Sequence, residues 1–402
     1  MDEKVVISGV GIVSPIGIGG QAFEKNLFLG KNGVQKITLF DTSQLGRHFA
    51  GEIQDFDPFE FISPDHCQTY GRASQFAIAS AIMALEDAGL DKKTLKGKKS
   101  AIIIGTTMVE ARVSDDACEK LIQNQLETVE SQDFFHMDPA CLSANVASHL
   151  DLEGFNVTIP NACSAGNFAI AYGFDMIRRG QIDIALVGGT DSLSRVALQG
   201  FQRLRSMAPE ICQPFDKNRK GMILAEGAGM IVLEPLAQAQ NRIQKPFTQV
   251  LGYGMSCDAS HIVMPSQTGI YNAMDRALNN ARIDPSNVDY ICAHGTGTRQ
   301  NDIKECAAIK KLINTSKNIP ISSIKSMMGH SMGAASVIET IACCLALKNQ
   351  MIPPTINHEN MDPLCDIDCV PNERRNADLK VVLNNSSAFG GNNCTIVLKK
   401  NL

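Results

Sequence analysis

An alternation of two patterns constrains this chain more than anything else in it. Short runs rich in β-branched residues occur at Val5–Ile7, Ser100–Ile104, Ile184–Val187, Met230–Leu233, Tyr290–Ala293, Ile321–Ile324 and Leu379–Leu383. Between them lie longer, alanine-rich runs with helical spacing, at Ala73–Ala88, Gly166–Arg179, Tyr271–Ala281, Asp302–Leu312 and Ala334–Lys348. Strands that alternate with longer amphipathic or apolar helices are the units of α/β layering, so an α/β fold is expected. No Pro/Ser/Gly-rich linker divides the chain, which favours two closely packed domains over two tethered ones.

The alternation contains an echo. Asn156–Pro160 reads as a strand that enters the small-residue elbow Asn161-Ala162-Cys163-Ser164-Ala165-Gly166 and then an apolar helix. Roughly 165 residues later, Ile321–Lys325 enters Met328-Gly329-His330-Ser331-Met332-Gly333 and another apolar helix. A strand, elbow and buried helix that recur suggest a duplicated fold.

Composition removes several classes of function. With 42 acidic against 37 basic residues and a formal charge of −5, the 402-residue chain has no global attraction for phosphate, so general nucleic-acid binding is not expected. The charged start Met1-Asp2-Glu3-Lys4 lacks the basic and apolar pattern of a secretory leader, so none is expected. The most apolar helical run, Ala334–Leu347, carries Glu339 inside it, so no membrane span is expected and the location read from the sequence is cytoplasmic. Thirteen scattered cysteines without a C-x-x-C pair are no disulfide framework. Cys365 and Cys369, with only His358 near them in sequence, make a poor zinc set; free thiols and no metal are expected.

Four segments carry chemistry. Cys163 follows a strand and opens a helix, where the positive helix end would stabilise a thiolate and make a nucleophile; a small core residue at a strand–helix turn is the other reading. His294, in Ala293-His294-Gly295-Thr296-Gly297-Thr298, stands in a narrow polar wall that a slender ligand could follow, or is a satisfied structural histidine. Lys325 ends a strand five residues before His330. Phe389, in Ser387-Ala388-Phe389-Gly390-Gly391, marks a hinge, a backbone donor or a plain bulge. Gly329-His330-Ser331-Met332-Gly333 also satisfies G-x-S-x-G, the elbow of serine hydrolases and acyltransferases. Ser331 is the weaker nucleophile, because only His358 follows it, in a proline-rich turn.

Taken in order along the chain, these segments resemble the β-ketoacyl-[acyl carrier protein] synthases of the elongating, Cys-His-His kind. The resemblance rests on Val5 to Gly11 with Ser14-Pro15 and Gly17, Asn161–Gly166, Gly188-Gly189, Pro214-Phe215-Asp216 and Glu226-Gly227-Ala228-Gly229. It continues through His294–Thr298 with Asn301-Asp302 and Glu305, Lys325–His330 with Gly333-Ala334 and Glu339, and Phe389-Gly390-Gly391. It implies a thiolase-like fold with two pseudo-duplicated halves in αβαβα layers, residues 1–240 carrying the nucleophile and 241–402 carrying both histidines and the lysine.

The resemblance also implies roles. Cys163 would take the acyl chain from a carrier-protein thioester, with its own N–H and that of Phe389 as oxyanion hole. His294 and His330 would hydrogen-bond the malonyl thioester carbonyl as carbon dioxide leaves. Lys325, paired with Glu339, would orient the histidines; Thr296 and Thr298 would hold the phosphopantetheine arm; Phe389 would gate the acyl pocket. Substrates would arrive on the carrier's phosphopantetheine, with no cofactor bound to the enzyme itself. The second histidine and the intact cysteine imply a catalytically complete elongating subunit, in a dimer with a second copy or with a cysteine-less chain-length factor.

Departures from the housekeeping fatty-acid pattern point toward a type II polyketide or polyene system. Met222 and Ala225 replace phenylalanine and glycine, Met328 and Asn392 stand where threonine is usual, and Ala388 stands where glycine is. The Ser206–Cys212 stretch is short, and the usual basic run reads Asp65-His66-Cys67-Gln68-Thr69. An acidic carrier needs a basic landing surface, for which Arg203, Arg205, Arg219 and Lys220 are the candidates. Met108 is expected at the dimer interface, limiting acyl length. The rival expectation is a homodimeric fatty-acid elongation enzyme.

Overall fold

The structure, a computed structural model, describes residues 3–95, 97–242, 246, 248–313 and 318–401. Its first half contributes β1 (Val5–Ser14), β2 (Ser100–Thr106), β3 (Gly154–Pro160), β4 (Ile184–Asp191) and β5 (Gly227–Pro235), standing side by side as β3-β2-β4-β5-β1. Its second contributes β6 (Thr248–Cys257), β7 (Tyr290–Cys292), β8 (Ile321–Ser322), β9 (Val381–Ser387) and β10 (Asn392–Lys400), standing as β8-β7-β9-β10-β6. Each half therefore has the spatial order third, second, fourth, fifth, first. The directions repeat too: the second strand is parallel to its two neighbours, and the fifth is antiparallel to the fourth and the first. The halves join where β1 runs antiparallel to β6, Val5 opposite Val250. The echo in the sequence is a true duplication.

Helices complete the layers. α1 (Arg72–Asp87) covers β1 and β5 on one outer face, with α2 (Ala140–Leu150) beside it. α3 (Ala165–Arg178) is followed in the first half by α4 (Arg195–Arg203). α5 (Gln267–Ala281) and α6 (Arg299–Ile313) cover the opposite outer face, and α7 (Ala335–Asn349) packs on α3 between the two sheet halves. Every residue of α7 from Ala335 to Leu347 is buried, as a helix apolar on all sides requires. By length and composition Met332–Asn349 could cross a bilayer, but 89% of it is buried inside the protein. The glycines of β1 explain the first motif. A Cβ on Gly9 would lie 2.2 Å from the Ala84 carbonyl oxygen and one on Gly11 1.9 Å from that of Ser80, so α1 rests directly on the strand.

The two central helices begin alike. Ala162 (φ 44°) and Met332 (φ 51°) are left-handed residues, each three positions before its helix. The register makes Gly333, not Ser331, the counterpart of Cys163.

Candidate active site

Cys163 lies in the tight turn Ala162–Ser164 that leads into α3, and is 3% exposed. Its own N–H and that of Phe389 lie close enough to its sulfur to favour the anion. The thiolate expected at the helix end is corrected here. Burial pushes the thiol up to about 12, Lys325 pulls against this, and Asp191 adds to the rise. Desolvating a sulfur anion outweighs the helix end, so the resting group is a thiol.

His294 leaves β7 in a loop that Glu305 of α6 holds by its backbone. The His294 and Gly295 N–H groups donate to the two Glu305 oxygens, both at 2.8 Å, and Asn385 Nδ2 donates to Oε1 at 2.6 Å. Lys325 Nζ stands 3.4 Å from His294 Nδ1. An ammonium can only donate, so Nδ1 accepts and the ring proton sits on Nε2. His330 reaches the same state by another route: the Met332 N–H donates to its Nδ1 at 3.2 Å, which leaves Nε2 protonated. His330 Nε2 makes no hydrogen bond among the described residues. The rings stand 5.3 Å apart, edge to face. Burial and the Lys325 charge hold both imidazoles well below the usual histidine range, with His330 adding to the effect on His294. Two neutral imidazoles thus each carry an Nε2–H donor.

Lys325 forms a buried ion pair with Glu339 on α7. Burial raises the Glu339 carboxyl to about 7 against the pull of Lys325. A cavity of about 320 Å³ is lined by Cys163, His294, His330, Thr296, Thr298 and Phe389. The Thr296 and Thr298 hydroxyls bond each other at 2.8 Å. Phe389 opens a turn in which Gly390 (φ 83°) and Gly391 (φ 81°) are both left-handed. This turn lets the chain reverse between β9 and β10 while the Phe389 N–H faces the sulfur; it is no bulge. The Phe389 ring packs 5.5 Å from that of Phe201 on α4. Met108 packs with Phe389 against the apolar cluster of Phe201, Met222 and Met332, of which Met222 also lines the cavity.

Two further expectations are corrected. Arg219 is not a docking residue: its side chain is 1% exposed, paired with Asp362 at 2.6 Å and Asp302 at 3.4 Å. A guanidinium held by two carboxylates braces the start of α6. Arg203, Arg205 and Lys220 are exposed, and Arg205 lines the cavity. Ser331 is no nucleophile: it is fully buried, and its Oγ has no hydrogen-bond partner among the described residues, so no base contacts it. All thirteen cysteines are free.

Three residues had no assigned role in the sequence reading. Glu305 stands in a quoted motif and Asp191 just beyond Gly188-Gly189, whereas Phe201 lies in a segment for which the sequence offers no signal. Asp191 accepts hydrogen bonds from both halves, and burial raises it to about 6.

A buried thiol beside two backbone donors, in one cavity with two imidazole donors, supplies the groups that a thiol-dependent condensing enzyme needs. Residues 2–239 match the beta-ketoacyl synthase N-terminal domain and residues 247–359 the C-terminal domain of the same family. The chain is 36% identical to the tetracenomycin polyketide synthase ketoacyl synthase alpha subunit of Streptomyces glaucescens, covering 99% of this chain and 97% of that one. It is 35% identical to 3-oxoacyl-[acyl-carrier-protein] synthase 2 of Synechocystis, covering 99% and 98%. Among solved structures, the ishigamide ketosynthase/chain length factor superposes with a TM-score of 0.97 at 40% identity, over 100% of both chains. The chain belongs to the beta-ketoacyl synthase family and is an acyltransferase of the condensing, thiolase-like type.

Proposed function

We propose that this protein is the catalytic ketosynthase subunit of a type II polyketide or polyene system. It would join an acyl group to a malonyl unit, each delivered on the phosphopantetheine arm of an acyl carrier protein. The observation that carries the reading is the convergence of the Cys163 sulfur and two Nε2–H donors, from opposite halves of the fold, on one cavity.

Loading is a thiol exchange. The Cys163 sulfur attacks the acyl thioester, the Cys163 and Phe389 N–H groups stabilise the tetrahedral oxyanion, and the thiol proton leaves with the pantetheine sulfur. In the second stage His294 and His330 donate to the malonyl thioester carbonyl. The bond to the carboxylate breaks, carbon dioxide leaves, and its electron pair becomes an enolate that the two donors stabilise. The enolate carbon then attacks the acyl-Cys163 carbonyl, the carbon–sulfur bond breaks, and one proton restores the thiol. Lys325 fixes the His294 tautomer with Glu339 balancing its charge; Thr296 and Thr298 offer hydroxyls to the arm; Phe389 gates the acyl pocket against Phe201.

The halves would function as residues 1–240 and 241–402 in the cytoplasm, with Arg203, Arg205 and Lys220 meeting an acidic carrier and Met108 limiting acyl length. A dimer with a cysteine-less chain-length factor is supported by the likeness to the ishigamide ketosynthase/chain length factor. The likeness to 3-oxoacyl-[acyl-carrier-protein] synthase 2 favours the second reading, a fatty-acid elongation homodimer. Co-purification of the tagged chain from its native cells separates them. A cysteine-less homologue at equal stoichiometry supports the polyketide reading, and recovery of the chain with itself alone overturns it.

A further inference from the structure

Asp191 closes β4 and is fully buried. Its Oδ1 accepts from Thr106 Oγ1 and from the Met108 N–H, both at 2.8 Å; its Oδ2 accepts from the Thr107 N–H at 2.8 Å and the Gly333 N–H at 2.6 Å. Three donors come from the end of β2 and the fourth from the elbow of the other half. Four donors occupy the lone pairs of a carboxylate, the condition under which a buried charge is tolerable. The position of the fourth matters most. Gly333 directly follows Met332, whose N–H holds the His330 ring by Nδ1. A Cβ on Gly333 would fall 2.7 Å from Asp191 Oδ2, so the close contact depends on glycine there. The same carboxylate holds the turn that carries Met108, and its charge acts on the Cys163 thiol.

We propose that Asp191 is a positioning residue for the condensation: it clamps the Thr106–Met108 turn to the Gly333 elbow, and so fixes where His330 stands relative to Cys163. This deepens the functional reading above and rests on it. Asp191→Asn keeps the shape but turns an amide NH₂ toward N–H donors, so part of the clamp opens. Asp191→Glu keeps the charge and moves the oxygens.

Two measurements test it. The first is decarboxylation of a malonyl thioester in a Cys163→Ala background, with and without Asp191→Asn. The clamp predicts a kcat lower by about 10- to 100-fold with KM within about twofold, because His330 is displaced while the rest of the cavity stands. The second is alkylation of Cys163 by iodoacetamide against pH. Removing the carboxylate charge raises the rate at pH 8 by about three- to tenfold, and Asp191→Glu returns it to the wild-type value. Wild-type decarboxylation in Asp191→Asn, or an alkylation rate that does not move, overturns the proposal. If Asp191→Asn does not fold, Thr106→Val removes one donor and keeps the charge. It should slow decarboxylation by about threefold or more, and an unchanged rate overturns the clamp. A Cys163→Ala parent that decarboxylates nothing would count against the functional reading, and the alkylation arm would still decide the role of Asp191.

Discussion

Lys325 Nζ stands 3.4 Å from His294 Nδ1 while its charge is balanced by Glu339. One cation thereby sets a tautomer and keeps an imidazole neutral inside a buried site. Lys325→Ala removes both effects and leaves Glu339 as an unpaired buried carboxyl. It should lose about 3–5 kcal/mol of stability in urea unfolding. The double change Lys325→Met with Glu339→Leu should lose clearly less while remaining inactive. Equal losses in the two would contradict the pairing.

In the proposed mechanism the two imidazoles act on decarboxylation and not on loading. His294→Ala and His330→Ala should each lower malonyl decarboxylation by about 10²- to 10³-fold, the usual effect of removing one oxyanion donor. Acyl transfer to Cys163 should persist in both, as read by intact mass. Loss of loading with decarboxylation intact would reverse the assignment.

The pH dependence follows from the same neutrality. Both histidines are held well below their ordinary range, so they gain charge only at a pH under the one at which free imidazole does. Decarboxylation by Cys163→Ala should therefore show no histidine-linked fall from pH 8 down through about 6.5, the ordinary histidine value; in that window the site group that changes charge is Glu339, raised to about 7. A fall centred near about 6.5 that persists in Glu339→Gln, which removes that carboxyl, would contradict the burial argument.

The resting thiol gives a further prediction. With Cys163 pushed up to about 12, its alkylation by iodoacetamide should climb about tenfold per pH step from 7 to 9 without a plateau. The exposed Cys118 and Cys257 should label first at pH 7. A plateau below pH 8, or Cys163 labelling first, would restore the stabilised thiolate.

Carrier docking is tested at the mouth of the cavity. Arg205→Glu should slow acyl transfer from the carrier protein and spare transfer from a small thioester. Arg219→Ala should instead destabilise the fold by about 3–5 kcal/mol, since it strands Asp302 and Asp362. Equal slowing of both thioesters by Arg205→Glu would remove its docking role.

The sequence makes the duplication legible because strand, elbow and apolar helix are local patterns, and Cys163, His294, Lys325 and His330 lie at the ends of such units. What it conceals is anything set by meetings across the fold. Arg219 reads as a surface cation until two carboxylates are seen to enclose it. Asp191 reads as an ordinary acidic residue until donors from both halves converge on it. Ser331 fits a hydrolase pattern by spacing, but the left-handed residue of that elbow is Met332, which shifts the nucleophile register by two positions. The thiolate expectation fails for a related reason: a helix end is visible in a sequence, whereas the desolvation that opposes it belongs to the folded core.

The most direct test is intact-mass analysis of the enzyme after incubation with an acyl carrier-protein thioester, followed by peptide mapping and then addition of malonyl carrier protein. One acyl group should appear on Cys163 and vanish on the second addition, with carbon dioxide and a β-ketoacyl carrier released in equal amounts. An acyl group on Ser331, or an enzyme that condenses without ever carrying one, would contradict the account.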